Sequence, residues 1–418
     1  MTEHFTEPCT ERFTGSFTQQ EPIPEAGIEA AVAVLRHGRL HRYNTAPGEV
    51  AETALLEQEF AALSGAKYCL AVASGGYAMG CALRALQVRA SEPVLTNAFT
   101  LAPVPGAIAA VGASPVFVET TEGLAIDFGD LEAKAAASGA RLLLLSHMRG
   151  HICDMSDLMA LCDRLGVTVI EDCAHTMGGG WGGVASGRHG KIACYSMQTY
   201  KHLNAGEGGF LTSDDADLMA RAILLSGSYM LYAKHLAAPP LSAFEAVRRV
   251  TPNVSGRMDN LRAAILRPQL PLLVTRVARW AELYRQLEAG LVATPGLVLV
   301  ARGPQESFVG SSFQFRLPDW SPARIGQFLT RTLARGVELK WFGAAEPAAF
   351  TSRYDHWGYA SPQSLPQTDR ILAGLIDLRL PLTFTPEDCD LIARIIRAEV
   401  LVVGEGPEPA AVALPVIQ

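Results

Sequence analysis

Lys201 stands in Ser196-Met197-Gln198-Thr199-Tyr200-Lys201-His202, 29 positions after Asp172 and just before Gly206-Glu207-Gly208-Gly209. A lysine amine condenses with an aldehyde to a Schiff base once it is deprotonated, and enclosure lowers its pKa towards that state. Asp172 closes the apolar run Val167-Thr168-Val169-Ile170-Glu171. A carboxylate there can hold a ring nitrogen protonated. Ser74-Gly75-Gly76 precedes a helical pattern, and exposed amides at a helix start bind anions where glycine permits close approach. Ser196 follows another apolar run and offers a hydroxyl to the same anion. An aldehyde, a cationic ring nitrogen and a phosphate are the three handles of pyridoxal phosphate. His175 could stack on such a ring or hydrogen-bond its phenolic oxygen. Taken singly, each residue has a plainer reading: a capping acid, a solvated lysine, a structural histidine, turn residues. The combination and order carry the argument.

Short apolar runs alternate with helical spacing ahead of and through this region. Strands are predicted at 68–72, 93–96, 114–118, 141–146, 167–171, 192–196 and 209–212. Helices are predicted at 26–37, 51–63, 78–87, 104–111, 130–137 and 156–165, by apolar residues recurring every three to four positions. This alternation predicts an α/β fold with a mostly parallel or mixed central sheet and helices on both faces. Polar residues at strand ends then share one rim, where open α/β sheets bind ligands. After Ser213 the texture changes. A long helical stretch at 257–291 is broken near Pro268 and Pro271. Strands at 308–317, 337–340 and 376–380 with helices at 322–334 and 386–400 predict a smaller C-terminal α+β domain. The expected organisation is an N-terminal arm (1–24), a large domain (25–255), a linking helix with the small domain (256–403) and a tail (404–418).

The 418-residue chain is 49% hydrophobic and carries a formal charge of -7 with no local Lys/Arg cluster, which argues against nucleic acid as a partner. The apolar stretch 94–118 is interrupted by Pro103, Pro105 and Pro115, so no membrane span is expected. Residues 1–20 are polar and do not read as a signal peptide. Eight cysteines are scattered without a CxxC pair, so no metal site is expected, and most should be buried thiols of a cytoplasmic protein. The Ser74-Gly75-Gly76 element is neither a GxGxxG nor a GxxxxGK[ST] motif, which leaves dinucleotide and P-loop readings without support there.

From about 25 to 400 the chain resembles the DegT/DnrJ/EryC1/StrS group of fold-type I pyridoxal-phosphate aminotransferases. The matching pieces are ASGGYAMGCALRAL, PVFVETTEGLAID, HMRGHICDM, VIEDCAHTMGG, YSMQTYKHLNAGEGGFLTSDD and GRMDNLRAAILRPQL. The resemblance implies that Lys201 is the Schiff-base lysine, that Asp172 partners the pyridine nitrogen and that His175 sits near the ring oxygen. Gly75, Gly76 and Ser196 would line the phosphate site, with Glu207 positional. The chain departs from the family in three places. Gly75-Gly76 replaces Gly-Thr. Leu101 stands where a ring-stacking aromatic is usual, so either Leu101 or Phe99 covers the ring. Ser255-Gly256-Arg257 replaces Asn-x-Arg, with Asn253 two residues earlier as a substitute for the asparagine that reaches a partner subunit's phosphate.

The resemblance also implies a homodimer with composite sites. The implied reaction moves an amino group from glutamate or glutamine to a carbonyl acceptor, free or nucleotide-linked, such as a keto-sugar or cyclitol ketone in secondary-metabolite or glycan biosynthesis. Arg149 or Arg257 could bind a donor carboxylate or a phosphate. Two other readings stay open: a different pyridoxal-phosphate reaction, such as decarboxylation, elimination or C–C cleavage, and a non-catalytic regulatory protein on the same fold. Retention of Lys201, with His202 merely adjacent, argues against the family's sugar dehydratases, which replace the lysine by histidine.

Overall fold

The computed structural model describes residues 11–409. Cys9 and the outer ends of the expected arm and tail lie outside that range. Two helices, α1 (Glu25–His37) and α2 (Glu52–Ser64), lead into strand β1 (Tyr68–Val72) and helix α3 (Gly75–Ala85). Strands β2 (Pro93–Asn97), β3 (Ser114–Val118), β4 (Leu142–Ser146), β5 (Thr168–Asp172), β6 (Ile192–Ser196) and β7 (Gly209–Ser213) complete a seven-stranded sheet in the order β1-β7-β6-β5-β4-β2-β3. Only β7 runs antiparallel to its neighbours. The fold is thus α/β with a mostly parallel sheet.

Strand side chains alternate between the two faces. Leu70, Val94, Leu142, Leu144, Ile170 and Leu211 pack with α3. Their neighbours Leu95, Leu143, Leu145 and Val169 pack on the opposite face, against the helix Met155–Leu165. Burial on both faces is why these strands read as continuous apolar runs.

The predicted break in the linking stretch is present. Asn260–Leu266 is α-helical, Arg267–Leu272 is a 3₁₀ segment containing Pro268 and Pro271, and a second helix runs over Leu273–Leu291. A small α+β unit follows. Its sheet contains β8 (Val298–Leu299), β9 (Ser312–Arg316), β10 (Lys340–Trp341) and β11 (Leu375–Arg379), in the order β8-β9-β11-β10. The last helix, Pro386–Glu405, reaches further than the expected 386–400 and enters the stretch read as tail, because Leu401, Val402 and Val403 continue its pattern.

Within the described part of the arm, Phe13 and Phe17 are each 3% exposed and pack into the small-unit core. Both rings meet Phe384 edge-on, with centroids 5.1 and 5.0 Å away, and Phe13 N donates to the Arg335 carbonyl at 2.9 Å. Two aromatics in a polar segment were too few to reveal a periodic pattern, yet burying each contributes about 2 kcal/mol. Among the described residues all seven cysteines are buried and free, and no helix is long and apolar enough to cross a membrane.

Candidate active site

Three parallel strands end side by side at one rim. Ser146 ends β4, Asp172 ends β5 and Ser196 ends β6, with Ser146 paired to Asp172 in register. Helix α3 begins opposite them. Together they wall a cleft lined among others by Gly75, Gly76, Leu101, Ser146, Asp172, His175, Ser196 and Lys201.

Lys201 Nζ lies 2.7 Å from His175 Nε2. Burial is the main cause that lowers the lysine's pKa to about 7, and the Arg149 and Arg379 cations push the same way, against Asp172 and Asp377. Burial, with Lys201 and Arg149 nearby, also holds His175 well below its ordinary value. A neutral His175 protonated at Nδ1 accepts a hydrogen bond from Nζ. Asp172 is fixed at both oxygens: Ser146 Oγ donates to Oδ2 at 3.2 Å and Ala174 N to Oδ1 at 3.1 Å. Ser146 is itself held, with Thr100 Oγ1 at 2.8 Å and its amide donating to Asn97 Oδ1 at 2.9 Å. Burial raises the pKa of Asp172, so its ionised form depends on a cation opposite.

At the start of α3, Ser74 Oγ accepts from Tyr77 N at 3.1 Å. The amides of Gly75 and Gly76 open the helix, where N–H groups lack intrahelical acceptors. Glycine is required at position 75: a Cβ there would stand 2.9 Å from Ser196 Cβ. Ser196 is 9% exposed, and its Oγ accepts from Gln198 N at 3.3 Å.

The remaining predicted residues fall into place as follows. Leu101 lines the cleft. Phe99 is buried 5.0 Å from the Phe342 ring, edge-on, outside that lining. Asn253 is exposed and outside the cleft of its own chain. Glu207 is exposed in its glycine loop. Arg257 donates to the Gly227 carbonyl at 2.7 Å and is not among the cleft-lining residues. His202 packs edge-on against Trp280, and burial lowers its pKa to about 3, so its place is structural. Arg149 is buried beside the cleft with φ 55°. Sequence reasoning missed Ser146, Met79 and Val104 as lining residues. The signal for Ser146 was available: it is the polar residue ending the run Leu142-Leu143-Leu144-Leu145, next to the strand that ends in Asp172.

His147, Glu171 and Cys173 cluster within 4.8 Å. Glu171 already accepts from the amides of Gly187, His189 and Gly190 and faces His147 Nε2 at 3.1 Å. This group is a satisfied structural network.

The residues fit pyridoxal phosphate. A buried amine of lowered pKa, a fixed carboxylate that needs a cation, and a glycine-lined helix start share one cleft. The comparisons agree. The DegT/DnrJ/EryC1/StrS aminotransferase family matches residues 24–397, and the chain belongs to this fold-type I, pyridoxal-phosphate-dependent family. It is 31% identical over 282 residues to a UDP-N-acetyl-3-dehydro-alpha-D-glucosamine 3-aminotransferase of Acidithiobacillus ferrooxidans, covering 63% of this chain and 71% of that protein. It is 28% identical over 281 residues to a putative L-glutamine:3-amino-2,3-dideoxy-scyllo-inosose aminotransferase of Streptomyces kanamyceticus, covering 66% of this chain and 65% of that protein. Its fold matches the crystal structure of S. venezuelae DesV with a TM-score of 0.74 at 26% identity, over 89% of this chain and 93% of that one.

Proposed function

We propose that this protein is a pyridoxal-phosphate-dependent aminotransferase. It moves an amino group from glutamate or glutamine to a sugar or cyclitol ketone, or a related aldehyde, free or nucleotide-linked, in secondary-metabolite or glycan biosynthesis. The observation that carries this reading is the buried Lys201 amine, with a pKa of about 7 and 2.7 Å from His175, in the same cleft as the fixed Asp172. The substrates in these relatives' names, a UDP-linked keto-sugar and an amino-inosose, support the acceptor class.

When bound, pyridoxal phosphate supplies an aldehyde for amines and a ring that withdraws electrons from the substrate carbon. The chain does the rest. Lys201 Nζ takes and returns a proton near neutral pH, where a base of matched pKa works best. His175 Nε2 fixes the direction of Nζ. Asp172 presents a carboxylate to a cationic ring nitrogen, and Ser146 and Ala174 hold its plane. The amides of Gly75 and Gly76 with the Ser196 hydroxyl take the phosphate. Leu101, Met79 and Val104 exclude water from one side. Leu101 takes the place of an aromatic cover.

The reading includes a cytoplasmic homodimer with composite sites. Asn253 is exposed and does not line its own cleft, and Val250 and Val254 close to it in sequence, with Tyr229 and Met230, are exposed apolar residues, as a subunit contact would need.

Absorbance spectroscopy with a donor screen tests the reading. The protein with pyridoxal phosphate should show a visible band that is absent in Lys201→Ala. Glutamate or glutamine should convert that band to the pyridoxamine form. A band that survives every amino donor, with carbon dioxide or ammonia released from an amino acid, would replace this reading by another reaction of the same cofactor.

A further inference from the structure

The small-unit sheet presents one polar face beside Lys201. Paired residues on neighbouring antiparallel strands share a face. Asp377 pairs with Gln314 on one side and Lys340 on the other, and Arg379 pairs with Ser312. These five polar residues therefore lie together. The alternate residues Phe313, Phe315, Trp341, Ile376 and Leu378 point into the small-unit core.

This face bears a charge imbalance. Arg379 lies over the Tyr200 ring, 3.7 Å from its centroid, one residue before Lys201. Lys340 Nζ stands 5.2 Å from the Phe350 ring centroid. Arg149 reaches across from the large domain, with Nη2 2.9 Å from Asp377 Oδ2. That approach is close but badly angled: Arg149 Nε and Nη2 and Asp377 Oδ2 make no hydrogen bond among the described residues. The other Asp377 oxygen accepts from Gln314 Nε2 at 2.7 Å. Three cations thus gather around one buried carboxylate, with the half-buried Glu338 acting on Lys340 only through space. Burial lowers the pKa of Arg379 and takes Lys340 to about 8, with Arg149 adding to both shifts. Arg149 is buried and Arg379 and Lys340 are partly buried, so three cations outnumber the one carboxylate they face, and an anion brought to them is held strongly.

We propose that Arg149, Arg379 and Lys340 form the carboxylate subsite for the amino donor, and that their excess charge selects a dicarboxylic donor over its amide. This rests on the aminotransferase reading and deepens it. The planar guanidinium of Arg379, backed by Tyr200, suits a carboxylate, which it can meet with two parallel N–H groups. Arg149 offers its open N–H groups from the large-domain side. Lys340 adds a point charge.

The test uses the holoenzyme and the inert dicarboxylate glutarate, with the neutral glutaramide as control. Calorimetry should show glutarate binding at least tenfold more tightly than glutaramide. Arg379→Gln and Lys340→Gln should each weaken glutarate at least fivefold, leave glutaramide unchanged and keep the cofactor band. The wild type should be converted by glutamate with at least tenfold higher kcat/KM than by glutamine, and Arg379→Gln should narrow that ratio through KM. Equal affinity for glutarate and glutaramide, or unaltered glutarate binding in both variants, would overturn the proposal. So would tight pyrophosphate binding without glutarate binding, which would assign the cluster to a phosphate of the acceptor. Glutarate binding with no conversion by any donor would sink the aminotransferase reading and leave the subsite standing.

Discussion

A buried amine costs stability when it is charged, and that makes Lys201 measurable apart from any reaction. Its pKa falls from 10.5 to about 7 on folding. The folded chain thus binds fewer protons than the unfolded chain between those values, and stability rises with pH across that window. Below about pH 7 the penalty is fully present, on the order of a few kcal/mol. In the cofactor-free protein, Lys201→Met should raise the thermal midpoint most at or below about pH 7 and progressively less towards pH 10. A gain that is flat with pH would show that Lys201 is not held in this environment. At this scale the sequence was informative about chemistry and poor at geometry. Lys201, Asp172, His175 and Ser196 were legible because their residue types match one cofactor's handles. The choice between Leu101 and Phe99 was not legible, because two positions along an irregular segment set which side chain meets the cleft. Arg379, Lys340 and Asp377 were missed because alternating charge in Ile376-Asp377-Leu378-Arg379 reads as a solvated strand face. The structure turns that face towards the large domain.

The strands of the large sheet were found within a residue or two, because burial on both faces writes them as apolar runs. Helix α3 was predicted three residues late. Its first turn holds Gly75 and Gly76, which depress helix propensity, and Gly75 is there for a close contact. At Gly75 the Cβ of alanine would press on Ser196 Cβ at 2.9 Å and on the Tyr195 carbonyl oxygen at 3.3 Å. Gly75→Ala should push the helix start away from β6. We expect a loss of about 1–3 kcal/mol in stability by denaturant titration, with weaker binding of pyridoxal phosphate. Unchanged cofactor affinity in that variant would separate the α3 start from the phosphate. The short strands of the small unit were harder to read. Lys340–Trp341 is two residues long, too little for a period of two to declare itself.

At the level of the whole molecule, buried charge ties distant segments together. Arg42 donates to both Glu57 oxygens at 2.8 Å, and His235 Nδ1 lies 3.0 Å from Glu57 Oε2. Glu57 also accepts from Ala71 N on β1. The network thus joins the segment after α1, helix α2, the first strand and a loop nearly two hundred positions on, which no local pattern could foretell. Burial alone would raise the Glu57 pKa, but Arg42 and His235 bring it to about 2. Its contribution is present above pH 4.5 and is lost as pH falls from there towards 2. Arg42→Ala leaves an uncompensated buried carboxylate and should destabilise the protein by roughly 3–5 kcal/mol in urea unfolding. A change below 1 kcal/mol would mean that water or another cation replaces the arginine.

The most direct measurement is chemical. Borohydride reduction of the protein with bound pyridoxal phosphate, followed by peptide mass mapping, fixes the site of attachment. A single pyridoxyl group on Lys201 is the predicted result. A label on any other lysine, or a protein that takes up no label while it remains folded, would contradict the account.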